Sequence, residues 1–233
     1  MPTVFADDKD AVTVEINGVK VVSENHYMKN GKVYVDVDAY ADLLGESVAY
    51  DNATKTAIVG GATFPASAEG GDVTAWIRDV AQATGAVEVT FEDNEAIDNV
   101  YVLMLPEGAK PYHPPIPGMG QHWIVASQEA IDAEAAGTGT IDFHTTTIYG
   151  THAGKLIFIE QMLDHAFFSE ADGAEDFLRL AGMEGLPSPS IEHTDIDFQP
   201  AGHPGFLSPH FDIHHYFVTH EEHMAIPAEA EHH

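Results

Sequence analysis

The sequence predicts an α+β protein, one or two small ββαββ-like units followed by a mainly β domain of barrel-like or sandwich form. Three observations carry this reading. Apolar and polar residues alternate on either side of the Asn17-Gly18 pair in "AVTVEINGVKVV", the pattern of two strands joined by a tight turn. The order helix, glycine, strand, acidic turn, strand occurs over residues 38–59 and again, degenerately, within residues 64–105, as an internal duplication would leave it. From residue 113 onward the composition changes: fourteen of the fifteen histidines lie there, in segments that alternate as strands do.

Taken in order, residues 1–10, "MPTVFADDKD", put Val4 and Ala6 where small residues precede a signal-peptidase cut, and so read as the remnant of an export signal. Residues 11–62 are expected to form the first module. It holds the Asn17-Gly18 hairpin, a strand through Val33, Val35 and Val37, and a short helix capped by Asp36 or Asp38 and stopped at Gly45. A hairpin about Asp51 to Thr54 completes it. Residues 63–110 form the degenerate second module. His26 stands alone in this half and is expected at the surface.

"LPEGAKPYHPPIPGMG", residues 105–120, has five prolines and three glycines, which suits a linker or an extended segment against the next domain. Residues 111–226 then form the His-rich β domain. It is expected to contain strands over 141–149 and 154–162 joined through Gly150 to Gly154, and a short amphipathic helix in "DGAEDFLRLAGMEG". A loop with one edge strand follows, then a strong strand in "HFDIHHYFV". Residues 227–233 are a tail, whose His232 and His233 read equally as native residues or as part of a purification tag.

Charge narrows the partners. Acidic residues outnumber basic ones 38 to 9, for a formal net charge of −29. Phosphate backbones are bound by clustered Lys and Arg, so no nucleic acid is expected as a partner, and no anionic membrane surface either. Such a field attracts cations. The same composition suits a secreted or cell-surface protein in a high-salt or alkaline environment. With no cysteine, any metal must be held by imidazole, carboxylate, carbonyl or water.

"SPHFDIHHYFVTHEEH", residues 208–223, carries five histidines and three carboxylates. On a strand, His210, Asp212, His214 and Tyr216 share one face and Phe211, Ile213, His215 and Phe217 the other. The apolar set can enter a core, leaving the polar set toward a cavity, an interface or solvent. His210 and His214 can lean together on one ion, with Asp212 as a ligand or as the acceptor that fixes an imidazole tautomer. Further donors are sought at His122, His144 and Glu160. Glu160 follows "LIFI", where a charge is costly unless paired or metal-bound, although an alternating strand could equally turn it to solvent. The candidates to complete a site on His210 and His214 are therefore His122, His144 and Glu160, with Asp212 and Tyr216 beside them. No G-x-S-x-G or H-E-x-x-H motif is present, and "HEEH" at 220–223 has no long helix around it.

Two resemblances add to this. "VEINGVKV", "NGKVYVDVDAYADLLG" and "VAYDNATKTAIV" resemble the N-terminal stalk-like domain of copper amine oxidases, common in secreted proteins of Gram-positive bacteria; this implies a surface-protein module and no copper site. "PGMGQHW", "IYGTHAGKLIFIEQM" and "PHFDIHHYFV" resemble an uncharacterised family of small, mainly β bacterial proteins. That resemblance covers residues 112–226 and implies a β-barrel-like domain without an established activity. His122, Glu160, His210 and His214 are the polar residues inside those segments, so the resemblance implies these four as one metal site, while His152, His165 and His215 are departures from the pattern.

The resulting expectation is an exported metal-binding protein with Zn²⁺ or Cu²⁺ in its C-terminal β domain. One alternative is a metal-dependent enzyme in which the ion activates water, with Asp212 or Glu160 as base. The other is a cell-surface or self-assembling structural protein, a homo-oligomer or surface assembly.

Overall fold

The computed structural model describes residues 12–93, 97–139, 141–164, 180–203 and 206–227. The expected export-signal remnant, most of the expected helix in 172–185, His165, and His232 and His233 lie outside the described residues. Among the described residues the chain is predominantly β, with four open sheets and short helices. It divides into two compact units: residues up to Met104 with 153–155 and 185–188, and the remainder. No described helix is long and apolar enough to cross a membrane.

In the first unit, β1 (Val12–Ile16) turns through Asn17 and Gly18, at φ 53° and 84°, into β2 (Val19–Lys20). These are the left-handed conformations for which Asn-Gly is suited. Asn17 is fully buried. Its side chain donates to the carbonyls of Met104 and Pro187 and accepts from Met104 N–H, so the turn also anchors the chain end of the unit. β3 (Tyr27–Lys29) and β4 (Lys32–Asp36) form the next hairpin, and β4 runs directly into α1 (Val37–Leu43). Asp36 caps α1 by accepting from the N–H groups of Asp38 and Ala39, and Gly45 at φ 71° ends it. β5 (Val48–Asp51), β6 (Thr56–Val59) and β7 (Ala62–Pro65) make a three-stranded sheet.

The pattern then recurs 40 residues on, in β8 (Ser67–Glu69), β9 (Asp72–Trp76), α2 (Ile77–Ala83), β10 (Glu88–Asp93) and β11 (Asp98–Leu103), with Gly31 matched by Gly71, Val37 by Ile77 and Gly45 by Gly85. The two expected modules do not form separate sheets. β4 pairs with β9 in the order β3-β4-β9-β8, β11 pairs in parallel with β1, and residues of both share one core cluster around Tyr40, Val80 and Val102. His26 departs from the surface expectation. It is buried, its Nε2 donates to Val21 O, and its Nδ1 accepts from Asp36 N–H, so it locks the strand that delivers the α1 cap.

The second unit is one six-stranded sheet in the order β12-β13-β14-β15-β17-β16. The strands are β12 (Ala109–Ile116), β13 (Gly120–Val125), β14 (Ile148–His152), β15 (Lys155–Asp164), β16 (His193–Gln199) and β17 (His210–Tyr216). Its edges β12 and β16 remain apart in the pairing order, so the expected barrel closure is not seen among the described residues. α3 (Gln128–Ala135) follows β13, and α4 (His220–Met224) follows β17.

Of the two expectations for the proline-rich segment, the extended one holds over Ala109–Ile116, which is edge strand β12, where proline's missing N–H is tolerated; the register shifts between Tyr112 and Ile116, where His113 takes φ 62°. One expectation is corrected here. Residues 141–147 are not strand. Asp142 captures the local backbone and hydroxyls, accepting from His144 N–H and Thr145 Oγ1 on its carboxylate and from Thr146 Oγ1 on its carbonyl, which curls the chain into a turn.

Candidate metal centre

The register of the large sheet decides which side chains meet. Glu160 of β15 pairs with His214 of β17, Met162 with Asp212 and Asp164 with His210; His122 of β13 pairs with Gly150 of β14. Alternation then places His122, Glu160, Asp212, His214 and Tyr216 on one face, where all five line a cavity of about 490 Å³. Tyr112, Ile116, Met119, Ile148 and Met162 supply apolar wall.

The polar face of β17 turns to the cavity, one of its expected destinations, and is the more buried of the two. His210, Asp212, His214 and Tyr216 are buried, while Phe211, Ile213 and His215 are only half-buried. Phe211 finds a ring partner in Phe198 of the edge strand β16, with centroids 5.0 Å apart, so apolar cover on the outer face does not require a deep core. Glu160 likewise is not turned to solvent; it is 3% exposed.

Two of the expected ligands gather around a third, Glu160. Its Oε1 lies 3.4 Å from His214 Nε2 and its Oε2 lies 3.8 Å from His122 Nε2. Burial, with the charge of Asp212 second, pushes the Glu160 carboxyl up to about 8. Burial pushes the His122 imidazole down to about 4 against the opposing backbone hydrogen bond of Gly120, and burial also lowers His214. Both ring nitrogens of His214 are buried without a hydrogen-bond partner, which marks that ring as short of a ligand or proton acceptor. Phe158 stands edge-on to His122 and His214 at 5.4 and 5.1 Å and separates their planes.

The fourth expected ligand, His210, belongs to a tighter group with Asp212 and His203, in which one donor atom from each lies within 4.8 Å of the others. His210 Nε2 is 2.9 Å from Asp212 Oδ1 and 3.1 Å from His203 Nε2, and His203 Nε2 is 3.6 Å from Asp212 Oδ1. His210 Nδ1 lies 2.6 Å from Ser208 O. A carbonyl only accepts, so Nδ1 carries the proton and, in a neutral ring, Nε2 presents a lone pair to a carboxylate oxygen. Two acceptors at 2.9 Å repel unless a proton or a cation lies between them. Tetrahedral Zn²⁺ with bonds of 2.0–2.1 Å sets its donors about 3.4 Å apart, and the observed 2.9, 3.1 and 3.6 Å bracket that separation. The Ser208 carbonyl is the kind of outer partner that fixes a metal-bound imidazole.

His203 is the member of this donor group that sequence reasoning missed. It sits in "AGHPGF", a turn without periodicity, and only the loop's return to β17 brings it to His210. His144 is not among the cavity-lining residues; its ring nitrogens lie 3.3 Å from Asp142 and 3.6 Å from Asp164. Tyr216 stacks on His193 and His223 at 4.7 and 4.2 Å and forms the cavity wall on that side. Comparison with protein-family models, curated proteins and solved structures gives no match for this chain.

Proposed function

We propose that the protein is an exported metal-binding protein that holds a divalent transition metal, Zn²⁺ or Cu²⁺, through His203, His210 and Asp212. The observation that carries this is the convergence of two imidazole nitrogens and one carboxylate oxygen at 2.9–3.6 Å, with the His210 proton already committed to Ser208. Glu160, His122 and His214 form a second, looser donor array on the same cavity. Imidazole with carboxylate and no thiolate fits Zn²⁺, Cu²⁺, Ni²⁺ or Fe²⁺, and the acidic composition favours cation capture. Export rests on that composition. Membership in the two resembled families belongs to the same proposal, the stalk-like half serving as a surface module.

A specific observation favours a second reading, metal-dependent catalysis. The three-donor group opens, through His203 and Asp212, onto a cavity with apolar walls, and Glu160 beside it is pushed up to about 8. A carboxyl with that affinity for protons is suited to general acid–base work near neutral pH. The ion would supply polarisation or a bound hydroxide; Glu160 would hold and move the proton, and the apolar wall would select a small, largely apolar substrate.

The test is elemental analysis after exhaustive dialysis of wild type and of His203→Ala/Asp212→Ala, with circular dichroism as the folding check. The proposal expects the variant to hold about one equivalent of zinc or copper less than wild type. Equal metal content in the two folded proteins would overturn it.

A further inference from the structure

Edge strand β16 and helix α4 bring together a second donor set. On β16, His193 and Asp195 are two residues apart and share a face; on α4, His220 and His223 are three apart and share a face. One donor atom from each of these four residues lies within 4.8 Å of the others. Asp195 Oδ2 is the centre, 3.8 Å from His193 Nε2 and 4.0 Å from His220 Nδ1.

Two further features point to a ligand. His223 is 5% exposed, yet its Nδ1 has no hydrogen-bond partner, and His193 Nε2 is buried and equally without one. Imidazoles left this way in a polar corner are missing a proton acceptor or a cation. The rings are also held in place: Tyr216 stacks on His193 and His223 with interplanar angles of 11° and 21°. The start of α4 is set by a capping box between Thr219 and Glu222, which fixes the rotation of a five-residue helix and hence the direction of both its histidines.

We propose that His193, Asp195, His220 and His223 form a second metal site, a closed four-donor site of three imidazoles and one carboxylate that takes Zn²⁺ and ties α4 to β16. Four protein donors leave no open position, which is the mark of a structural site. The separations of Asp195 from His193 and His220 need contraction by about half an ångström to reach the tetrahedral spacing of about 3.4 Å, within the reach of the half-exposed Asp195 and the exposed His220, and the remaining donor pairs lie within 4.8 Å. The ion would clamp the last described helix onto a sheet edge that no further strand covers among the described residues. This site lies outside the His203–His210–Asp212 group and stands or falls independently of it.

The experiment uses the full chain carrying His232→Ala/His233→Ala, so that the terminal imidazoles contribute nothing. Into this background are placed His203→Ala/Asp212→Ala, Asp195→Asn/His220→Ala, or both pairs. The edge variants change the two less buried donors, and circular dichroism confirms that they fold. Each protein is equilibrated with ZnCl₂, freed of loose ion by gel filtration and assayed for zinc, and amide exchange over residues 220–226 is followed with and without zinc. The His203→Ala/Asp212→Ala chain should still carry one equivalent, and adding Asp195→Asn/His220→Ala should remove it. Zinc should slow exchange in α4 only where Asp195 and His220 are intact. No zinc retained in the His203→Ala/Asp212→Ala chain, or a zinc content that adding Asp195→Asn/His220→Ala leaves unchanged, would overturn the proposal. Loss of the first site alone would appear as a stoichiometry unchanged by His203→Ala/Asp212→Ala and still sensitive to Asp195→Asn/His220→Ala.

Discussion

Glu160 and His122 face each other at 3.8 Å with opposite electrostatic histories. Burial raises the Glu160 carboxyl from 4.5 to about 8 and lowers the His122 imidazole from 6.5 to about 4. In the metal-free protein, Glu160 binds its proton more tightly when folded, so its contribution to stability is full below pH 4.5 and is lost as pH rises to about 8. His122 acts in the other sense: the unfolded chain takes up the proton first, so stability is lost as pH falls from 6.5 to about 4. Each effect is on the order of a few kcal/mol at 1.36 kcal/mol per pH unit. The two largely cancel between pH 4.5 and 6.5, where the lowered His214 tips the balance toward higher pH, and above 6.5 Glu160 acts alone. Urea unfolding of chelator-treated protein should therefore show stability falling between pH 6.5 and 8. Glu160→Gln should abolish that fall and leave a profile that rises to pH 6.5 and then stays level. A wild-type profile that is flat from 6.5 to 8 would contradict the burial of Glu160.

The elements carry these residues through close contacts that leave little slack. Gly150 in β14 lies beneath the Phe158 ring of β15, and a Cβ there would stand 2.2 Å from two ring carbons. That ring spaces His122 from His214. Gly150→Ala should force the ring aside, lowering stability by about 1–3 kcal/mol as overpacking does; an unchanged urea midpoint would refute the contact. Much of the element structure is legible in the sequence where the cause is local. Asn17-Gly18 announces a left-handed turn, Asp36 or Asp38 an N-cap and Gly45 a helix stop, because each is chosen by backbone conformation within a few residues; the cap is Asp36. Edge strand β12 is illegible to the same reasoning, since its prolines bar an inner strand but not an edge. Alternation on β17 likewise separates His210, Asp212 and His214 from Phe211 and Ile213, yet it cannot say which face is inward. That depends on register with β15 and on Phe198 covering Phe211 from another strand. The approach of His203 to His210 and the meeting of "HTD" with "HEEH" depend on loop paths that no periodicity records.

At the scale of the whole molecule the dominant quantity is the net charge of −29. With 9 basic residues against 38 acidic ones, most carboxylates have no cationic partner, and their mutual repulsion opposes compaction in both units. Screening relieves that repulsion. The Debye length falls from about 30 Å at 0.01 M salt to about 3 Å at 1 M, from longer than a small domain's radius to shorter than the gap between neighbouring surface charges. Chelator-treated protein should therefore melt higher in 1 M NaCl than in 0.01 M NaCl. The expected rise is about 5 °C, equivalent to roughly 1–3 kcal/mol at this chain length. Tetramethylammonium chloride should give a similar rise, because screening does not distinguish one monovalent cation from another. A rise seen with sodium and absent with tetramethylammonium would instead mean that discrete cation sites on the acidic surface carry the effect, and a melting point indifferent to both salts would mean that the carboxylates are spaced widely enough for water alone to separate them.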